Sequence, residues 1–336
     1  MTPLPIPVIR AYGTHTEAGR LVGEETSAVI RRSVSSTHAD PALVERYRAV
    51  TLEHLPWIVE ELDGVAEGAG VEPLGVFAAS IEELAAAAAP TGCSDLVVTG
   101  ARTADGHVLV AHTNDLYAED EDDIVAVEWR VPGDPVVFTL GIGPWVSVGW
   151  NEAGLSVTGN ELTPNDERVG IPRLLQMRDA LTRRTLTDAV EAVLHPARAS
   201  SYNWVFAHPT EGVLNVEGSA TSSADDRPDA DGILAHTNHY ANEDMLRFES
   251  SDHVAGSCLR LERAREIGRG GPFTVGTLRA ALADHENAPD SICRHGHGPK
   301  DVKTVFWCVA DVTAGEITYG RGNPCDSEPQ VFRFGA

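Results

Sequence analysis

Apolar positions recur at helical spacing in the first quarter of the chain and at strand spacing through much of the rest. Ala18, Leu21, Val22, Val29 and Ile30 alternate with charged residues, which predicts a first amphipathic helix. Asp40 followed by Pro41 reads as an N-cap and first-turn proline opening a second helix through Tyr47, Leu52 and Ile58, with Pro56 kinking or splitting it. An alanine-rich helix is predicted from Leu74 to Ala88, ended by Pro90. After Thr91-Gly92-Cys93 the period changes. Two β-branched runs, Ser94–Thr99 and His107–Thr113, flank Ala104-Asp105-Gly106 as a hairpin. Further strands are predicted at Ile124–Val131, Val136–Leu140, Trp145–Trp150 and Leu155–Thr158. Helices follow at Ile171–Arg183 and Leu186–Leu194, then strands at Tyr202–Ala207 and Val213–Glu217. Ala220 to Gly232 reads as a polar, mobile surface loop. Helices at Ser257–Ile267 and Val275–Asp284 precede closing strands near Val302–Val309, Glu316–Tyr319 and Val331–Phe334.

Runs of strands separated by pairs of helices argue against a βαβ alternation and for two mainly antiparallel sheets packed face to face, helices outside. The chain of 336 residues is long enough for a large core. Its formal net charge of -24 repels phosphate backbones and anionic lipid, so nucleic-acid and membrane roles are disfavoured. No stretch approaches the roughly 20 apolar residues of a membrane span, and the N-terminus lacks a secretory pattern. Five scattered cysteines without a CxxC pair suggest neither a zinc ribbon nor a disulfide framework, and fit a reducing cytoplasm.

Cys93 is the principal chemical candidate. A thiol attacks as thiolate, so something must take its proton. No conspicuous Cys–His signature surrounds it. A residue that becomes the N-terminus can use its own α-amine, whose pKa of about 7.7–8.0 leaves part of it unprotonated at neutral pH. Gly92 offers a sterically open peptide bond at a helix-to-strand change, and cleavage there would free that amine. The bland alternative is an inert buried cysteine. Among rival constellations, His236-x-x-His239 is a weak half of a metal site. Cys293, His295 and His297 read as a glycine-bearing loop, and no metal or other cofactor is expected. The run Glu119–Asp123 lacks the pattern of a calcium loop and reads as a solvated turn. Arg260 and Arg263 share a helix face and read as structural ion-pair partners, with substrate binding as the alternative. Asn160 and Glu217, at strand ends, read as supports of the site or as satisfiers of buried backbone.

Several short motifs occur in one order: Thr91-Gly92-Cys93; His112-Thr113-Asn114-Asp115; Gly149-Trp150-Asn151-Glu152-Ala153-Gly154-Leu155; Gly170-Ile171-Pro172; Val216-Glu217; His236-Thr237-Asn238-His239; Ser257-x-x-Arg260-x-x-Arg263; Ser291-Ile292-Cys293-Arg294; and Thr304-Val305-Phe306. In this order they resemble the acyl-coenzyme A:6-aminopenicillanic acid acyltransferases, or isopenicillin-N acyltransferases, among the N-terminal-nucleophile (Ntn) hydrolases. The resemblance implies a four-layer αββα fold of α+β class and a zymogen that cleaves itself between Gly92 and Cys93. Residues 1–92 then form a small helical chain and 93–336 the catalytic chain, together one globular unit. It implies Cys93 as nucleophile and Asn238 as oxyanion donor, with Asp115 contacting the amine-bearing part of the substrate. Asn114, Tyr117 and Arg294 fall in the matching motifs as binding or supporting residues. Lys300-Asp301 stand where a penicillin-acylating member carries Ser-Arg, so hydrolysis is expected ahead of acyl transfer. The implied partners are a small-molecule amide, an acyl-coenzyme A or acceptor amine, and the chain's own N-terminal segment. The competing expectation is an uncleaved, non-catalytic binding protein on the same fold.

Overall fold

A computed structural model describes residues 4–84, 92–252, 254–296 and 298–335. Among these residues, fourteen strands fall into two sheets. The first contains β1 (Val8–Tyr12), β4 (Ile124–Arg130), β5 (Val137–Ile142), β6 (Trp145–Asn151), β7 (Ser156–Asn160), β8 (Asn203–His208), β9 (Gly212–Gly218) and β10 (Ser223–Asp226), in that spatial order. The second runs β11 (Ile233–His236), β2 (Gly92–Val98), β3 (Leu109–Tyr117), β12 (Val302–Asp311), β13 (Glu316–Arg321) and β14 (Gln330–Arg333). Every described pairing is antiparallel except β1 with β4.

The period of two decides how the sheets stack. On β4, Val125, Val127 and Trp129 pack outward against α1 (His15–Glu25), α6 (Arg173–Ala180) and α7 (Leu186–Val193), while Ala126 faces the second sheet. Val97, Val110, Phe306 and Cys308 meet it from the other side. The outer face of the second sheet, with Leu96, Val98, Ala111 and Trp307, lies under α8 (Ala255–Gly268) and α9 (Val275–Leu282). The layers are helix, sheet, sheet, helix: the expected αββα sandwich. Strands covered on both faces read as continuous apolar runs because neither face meets water.

The helical beginning departs from expectation in three places. The first predicted helix is two, α1 and α2 (Ser27–Ser36), because the Thr26 hydroxyl bonds back to the Val22 carbonyl at 2.7 Å and its backbone leaves the helix. Pro56 splits the next into α3 (Pro41–His54) and α4 (Pro56–Ala69). The alanine-rich helix is only α5 (Pro73–Ala79), followed by a 3₁₀ turn at Glu82–Leu84; the rest of that prediction lies outside the described residues. The short strands β1 and β11 escaped the pattern reading. β10 corrects the description of Ala220–Gly232 as a loop only.

The N-terminal segment is therefore not only helical, and it is bound to the rest at several points. β1 pairs with β4, and the Gln330 side chain bonds both the N–H and the carbonyl of Ile6, at 2.6 and 2.9 Å. Gly19 and Gly23 of α1 cross Gly64 and Gly68 of α4, and a Cβ at Gly64 would stand 2.1 Å from the Thr16 carbonyl oxygen. Arg178 of α6 holds Glu61 of α4 through two bonds of 2.9 and 2.8 Å. Both side chains are about 5% exposed, and the guanidinium lies over the rings of Trp57 and Trp129. Glu61→Leu is expected to cost about 3–5 kcal/mol, because it strands a buried guanidinium. Adding Arg178→Met should restore much of that loss in urea unfolding, which a role in bulk packing alone would not allow.

Candidate active site

β2 places consecutive residues on opposite faces. Leu96 and Val98 point outward under α8, so Gly92 and Ser94 do too, while Val97 points between the sheets with Cys93 and Asp95. β3 follows the same rule: Leu109 and Ala111 outward with Asp115, Val110 inward with Asn114. In register, Gly92 pairs with Asp115 and Cys93 with Asn114.

On the inner face, Asn114 Nδ2 donates to the Cys93 thiol at 3.4 Å. The peptide N–H of Cys93 donates to Asn238 Oδ1 at 2.7 Å, which also accepts from Arg260 Nη2 at 2.7 Å. Asn238 Nδ2 faces the backbone carbonyl of Glu161 at 3.2 Å. The Asn238 backbone N–H is held by the Ser257 hydroxyl at 2.7 Å, so α8 sets the position of this turn. Burial pushes the Cys93 thiol well above its usual range, and the nearby Asp115 and Asp95 push it further. It is held as a neutral thiol.

On the outer face, a Cβ at Gly92 would stand 3.1 Å from Arg260 Nη2, 3.3 Å from Asp115 Oδ2 and 3.4 Å from Arg294 Nη1. Only a glycine leaves these charged groups undisturbed. Asp115 is fully buried, with Oδ1 accepting from the Thr304 hydroxyl at 2.7 Å. A bulge at Val305 aligns that hydroxyl, since Thr304 pairs with Asp115 and Phe306 already with Asn114. Burial raises the Asp115 carboxyl, and Arg260 and Arg294 pull it back. Asp115 therefore lies behind the strand, on the face away from Cys93.

Asn160 and Glu217 act at one remove. Asp95, wholly buried, accepts from His112 at 3.0 Å, Thr158 at 2.7 Å and Asn160 Nδ2 at 2.8 Å. Asn160 Oδ1 accepts from Asn203 and contacts His236 Nδ1, and His236 Nε2 reaches Glu217 at 2.8 Å. This network ties the two sheets beside Cys93 and leaves His236 engaged with two protein partners. His239 instead meets Ser257 at 2.7 Å and Cys258 at 3.5 Å. The acidic run Ala118–Asp123 forms a 3₁₀ turn that gathers Lys300 on Glu119, Lys303 on Glu121 and Arg32 on Asp123. Tyr117 lies with that group under Lys300.

A cavity of about 460 Å³ opens at Cys93 and Asn114. One wall is apolar, with Leu116, Val146, Leu174 and Met177; the other carries Glu82, Glu83, Glu161 and Glu167 around Arg173. Arg173 bonds Glu82 at 3.0 Å and Glu161 at 2.9 Å. A larger open groove beyond β11 does not reach Cys93.

Arg260 and Arg263, read together from the sequence, sit in different surroundings. Arg263 does serve as an ion-pair partner, of Asp284 and Glu266. Arg260 instead shares the buried stripe Ser257, Leu261, Ala264 and Gly268. α8 has no clear apolar stripe in its sequence, so the burial of Arg260 was not legible from pattern.

An αββα sandwich with a buried thiol at the head of an inner strand, beside a cavity, defines an Ntn-type enzyme acting on amide bonds. The family model of acyl-coenzyme A:6-aminopenicillanic acid acyl-transferase matches residues 102–326, and the chain belongs to that family. It is accordingly an enzyme of amide hydrolysis or acyl transfer. Among curated relatives, the 40 kDa form of acyl-coenzyme A:6-aminopenicillanic-acid-acyltransferase of Emericella nidulans is 23% identical over 94% of this chain and 92% of its own length. The beta-alanyl-dopamine/carcinine hydrolase of Drosophila melanogaster is 24% identical over 96% and 95%. Among solved structures, penicillin V acylase from Agrobacterium tumefaciens aligns with a TM-score of 0.45 at 12% identity, covering 71% of this chain and 85% of that one.

Proposed function

We propose that the chain cuts itself between Gly92 and Cys93 and then hydrolyses small amides through an acyl-thioester on Cys93. The observation that carries this reading is the position of Cys93: a buried thiol at the cavity, its peptide nitrogen on Asn238, next to a glycine packed against Arg260, Asp115 and Arg294. In the cut, the Cys93 sulfur attacks the Gly92 carbonyl carbon and the peptide nitrogen leaves as an amine. Water then hydrolyses the resulting thioester and releases residues 1–92 with a carboxylate end. The small segment stays attached through β1 and the Glu61–Arg178 pair.

The departure of Gly92 frees the position it holds beside Cys93. The substrate acyl group takes the place vacated beside Arg260, Asp115 and Arg294, and its carbonyl stands where the Gly92 carbonyl stood. The new α-amine of Cys93 accepts the thiol proton, the thiolate attacks, and the tetrahedral oxyanion accepts from Asn238 Nδ2, released from the Glu161 carbonyl. A preorganised donor of this kind is worth about 100- to 1,000-fold in rate. The α-ammonium protonates the leaving amine, and water completes the turnover. Asn114, donating to sulfur, steadies the thiolate. Asn160 and Glu217 keep Asp95 and the His236–Asn238 turn in place, and Tyr117 serves the outer rim.

The leaving amine is proposed to be cationic elsewhere in the molecule, because four glutamates and one arginine line the polar wall. No described helix is long and apolar enough to cross a membrane. All five thiols are unpaired, which favours a reducing cytoplasm.

Intact-mass measurement of freshly purified protein tests the cut. Two fragments meeting at Gly92/Cys93, the larger with N-terminal sequence Cys-Ser-Asp, are expected; a uniformly uncut chain that still turns over amides would sink the mechanism, and an uncut inactive chain would favour a binding role. Acceptor amines added to the same assay separate transfer from hydrolysis. The acidic wall makes a second prediction. Desolvation at the cavity mouth, with Glu83, Asp166 and Glu161 adding to it against the pull of Arg173, holds Glu167 up at about 7. Glu167 is neutral below that value and anionic above it. KM for an amide bearing a quaternary ammonium should therefore fall from about pH 6 to about pH 8, and the slope should vanish in Glu167→Gln.

A further inference from the structure

The loop between α9 and β12 and the connection from β13 to β14 bring together four side chains that the sequence holds apart: His285, Cys293, His295 and Cys325. Their ligand atoms all lie within 4.8 Å of one another. The two sulfurs stand 3.7 Å apart, His295 Nε2 lies 3.6 Å from Cys293 Sγ and 3.5 Å from Cys325 Sγ, and the Nε2 atoms of His285 and His295 are 2.9 Å apart. A tetrahedral ion with sulfur at about 2.3 Å and nitrogen at about 2.0–2.1 Å sets S···S at about 3.8 Å, S···N at about 3.6 Å and N···N at about 3.3 Å. The sulfur–sulfur edge and both sulfur–nitrogen edges of His295 match, the nitrogen edge is slightly short, and the His285 ligand nitrogen lies within 4.8 Å of both sulfurs. The reading of Cys293 and His295 as a plain glycine-bearing loop does not account for this convergence.

We infer that His285, Cys293, His295 and Cys325 form a closed Cys₂His₂ site for a tetrahedral divalent ion of zinc type. Two thiolates and two imidazoles are the donor set of structural zinc, and four protein ligands leave no position for a reacting water. A protein donor already points at one sulfur: the buried Asn323 side chain donates to Cys293 Sγ at 3.4 Å and, through the same Nδ2, to the Arg294 carbonyl at 2.6 Å. The group Asp105, His107 and Asp311 is a weaker rival, since His107 Nδ1 already meets Asp311 at 2.8 Å. The ion cross-links two connections that otherwise share few bonds, and Arg294 lies between two of its ligands. The metal thereby fixes the guanidinium that stands beside Gly92 and Asp115.

The test uses the full-length chain purified without chelators or a metal-affinity step. Elemental analysis is expected to find one zinc per chain, in wild type and in Cys93→Ala alike, which separates this site from the nucleophile. Replacing the ion with cobalt(II) should give the intense visible bands of tetrahedral cobalt and a thiolate-to-metal charge-transfer band. Cys325→Ser and His285→Ala, both at exposed positions, should each lower bound zinc at least tenfold. The inference is overturned by protein that neither carries nor takes up zinc, or by zinc retained in both variants. A mass lower by two hydrogens from a Cys293–Cys325 disulfide in metal-free protein overturns it as well. Should a variant fail to fold, the wild-type cobalt spectrum decides: octahedral or thiolate-free bands reject the site.

Discussion

Cys93→Ala is expected to purify as one uncut chain of 35.9 kDa with no measurable amide turnover. The loss should be complete rather than partial, because one atom is asked to perform two reactions in sequence. Without sulfur the Gly92 carbonyl is never attacked, the α-amine is never released, and Gly92 stays in place. Structure should survive. Cys93 is buried, and its removal deletes a single atom from an inter-sheet position, within the range of tolerated core changes. Cys93→Ser should retain slow self-cleavage, since a hydroxyl keeps the geometry but is a weaker nucleophile. The rival thiol is Cys258, 3.5 Å from His239 in an ordinary Cys–His arrangement. Burial and the neighbouring His236 drive His239 down to about 4, so it takes up a proton poorly near neutrality. Burial and Glu262 also hold the Cys258 thiol above its usual value. Cys258→Ala should therefore cut and turn over like wild type. Intact mass and initial rates on the three variants check the whole set, and activity in Cys93→Ala would return Cys93 to the status of an inert core residue.

The parts of this molecule that were legible in advance are those governed by local pattern. Asp40-Pro41 starts a helix and Pro56 starts another because capping chemistry and proline geometry act over a few residues. The strands flanking Ala104-Asp105-Gly106 were visible by their branched residues, and they do pair, although a ten-residue connection with a 3₁₀ turn replaces a tight hairpin. Placement of Asn238 was different. It meets Cys93 across 145 residues, and no periodicity encodes such a meeting; motif order suggested it. That Asn114 and Asp115 stand on opposite faces of β3 follows from strand alternation alone and was open to the sequence reading. The metal-type cluster was hidden for the opposite reason. Cys325 follows Cys293 by 32 residues, and no ligand spacing announces a site assembled from two connections. β1 was missed because it is five residues long and makes the one described parallel pairing, at the sheet edge.

Arg260→Leu should slow self-cleavage by about 100-fold or more, and the reason can be separated from simple unfolding. Arg260 is buried and makes two directed bonds, Nη2 to Asn238 Oδ1 and Nε to the Ser94 hydroxyl at 3.2 Å. The first fixes the Asn238 amide so that its NH₂ faces the cavity side; without it, the amide is free to turn over. The guanidinium also offsets the buried charge of Asp115, and leaving that carboxylate with less compensation should cost about 3–5 kcal/mol of stability. Arg294 remains to share part of that charge, which favours the lower end. Stability is best measured in the Cys93→Ala background, where the chain stays whole and unfolds as one piece. Asp115→Leu added to Arg260→Leu removes the stranded carboxylate and should recover most of the lost stability. It should not recover self-cleavage, because Asn238 still lacks its second partner. Arg265→Leu, on the exposed side of the same helix, should alter neither quantity, as expected for a surface charge. If the double variant regains cleavage along with stability, Arg260 only balances charge; if cleavage stays slow on a restored fold, Arg260 positions the oxyanion donor.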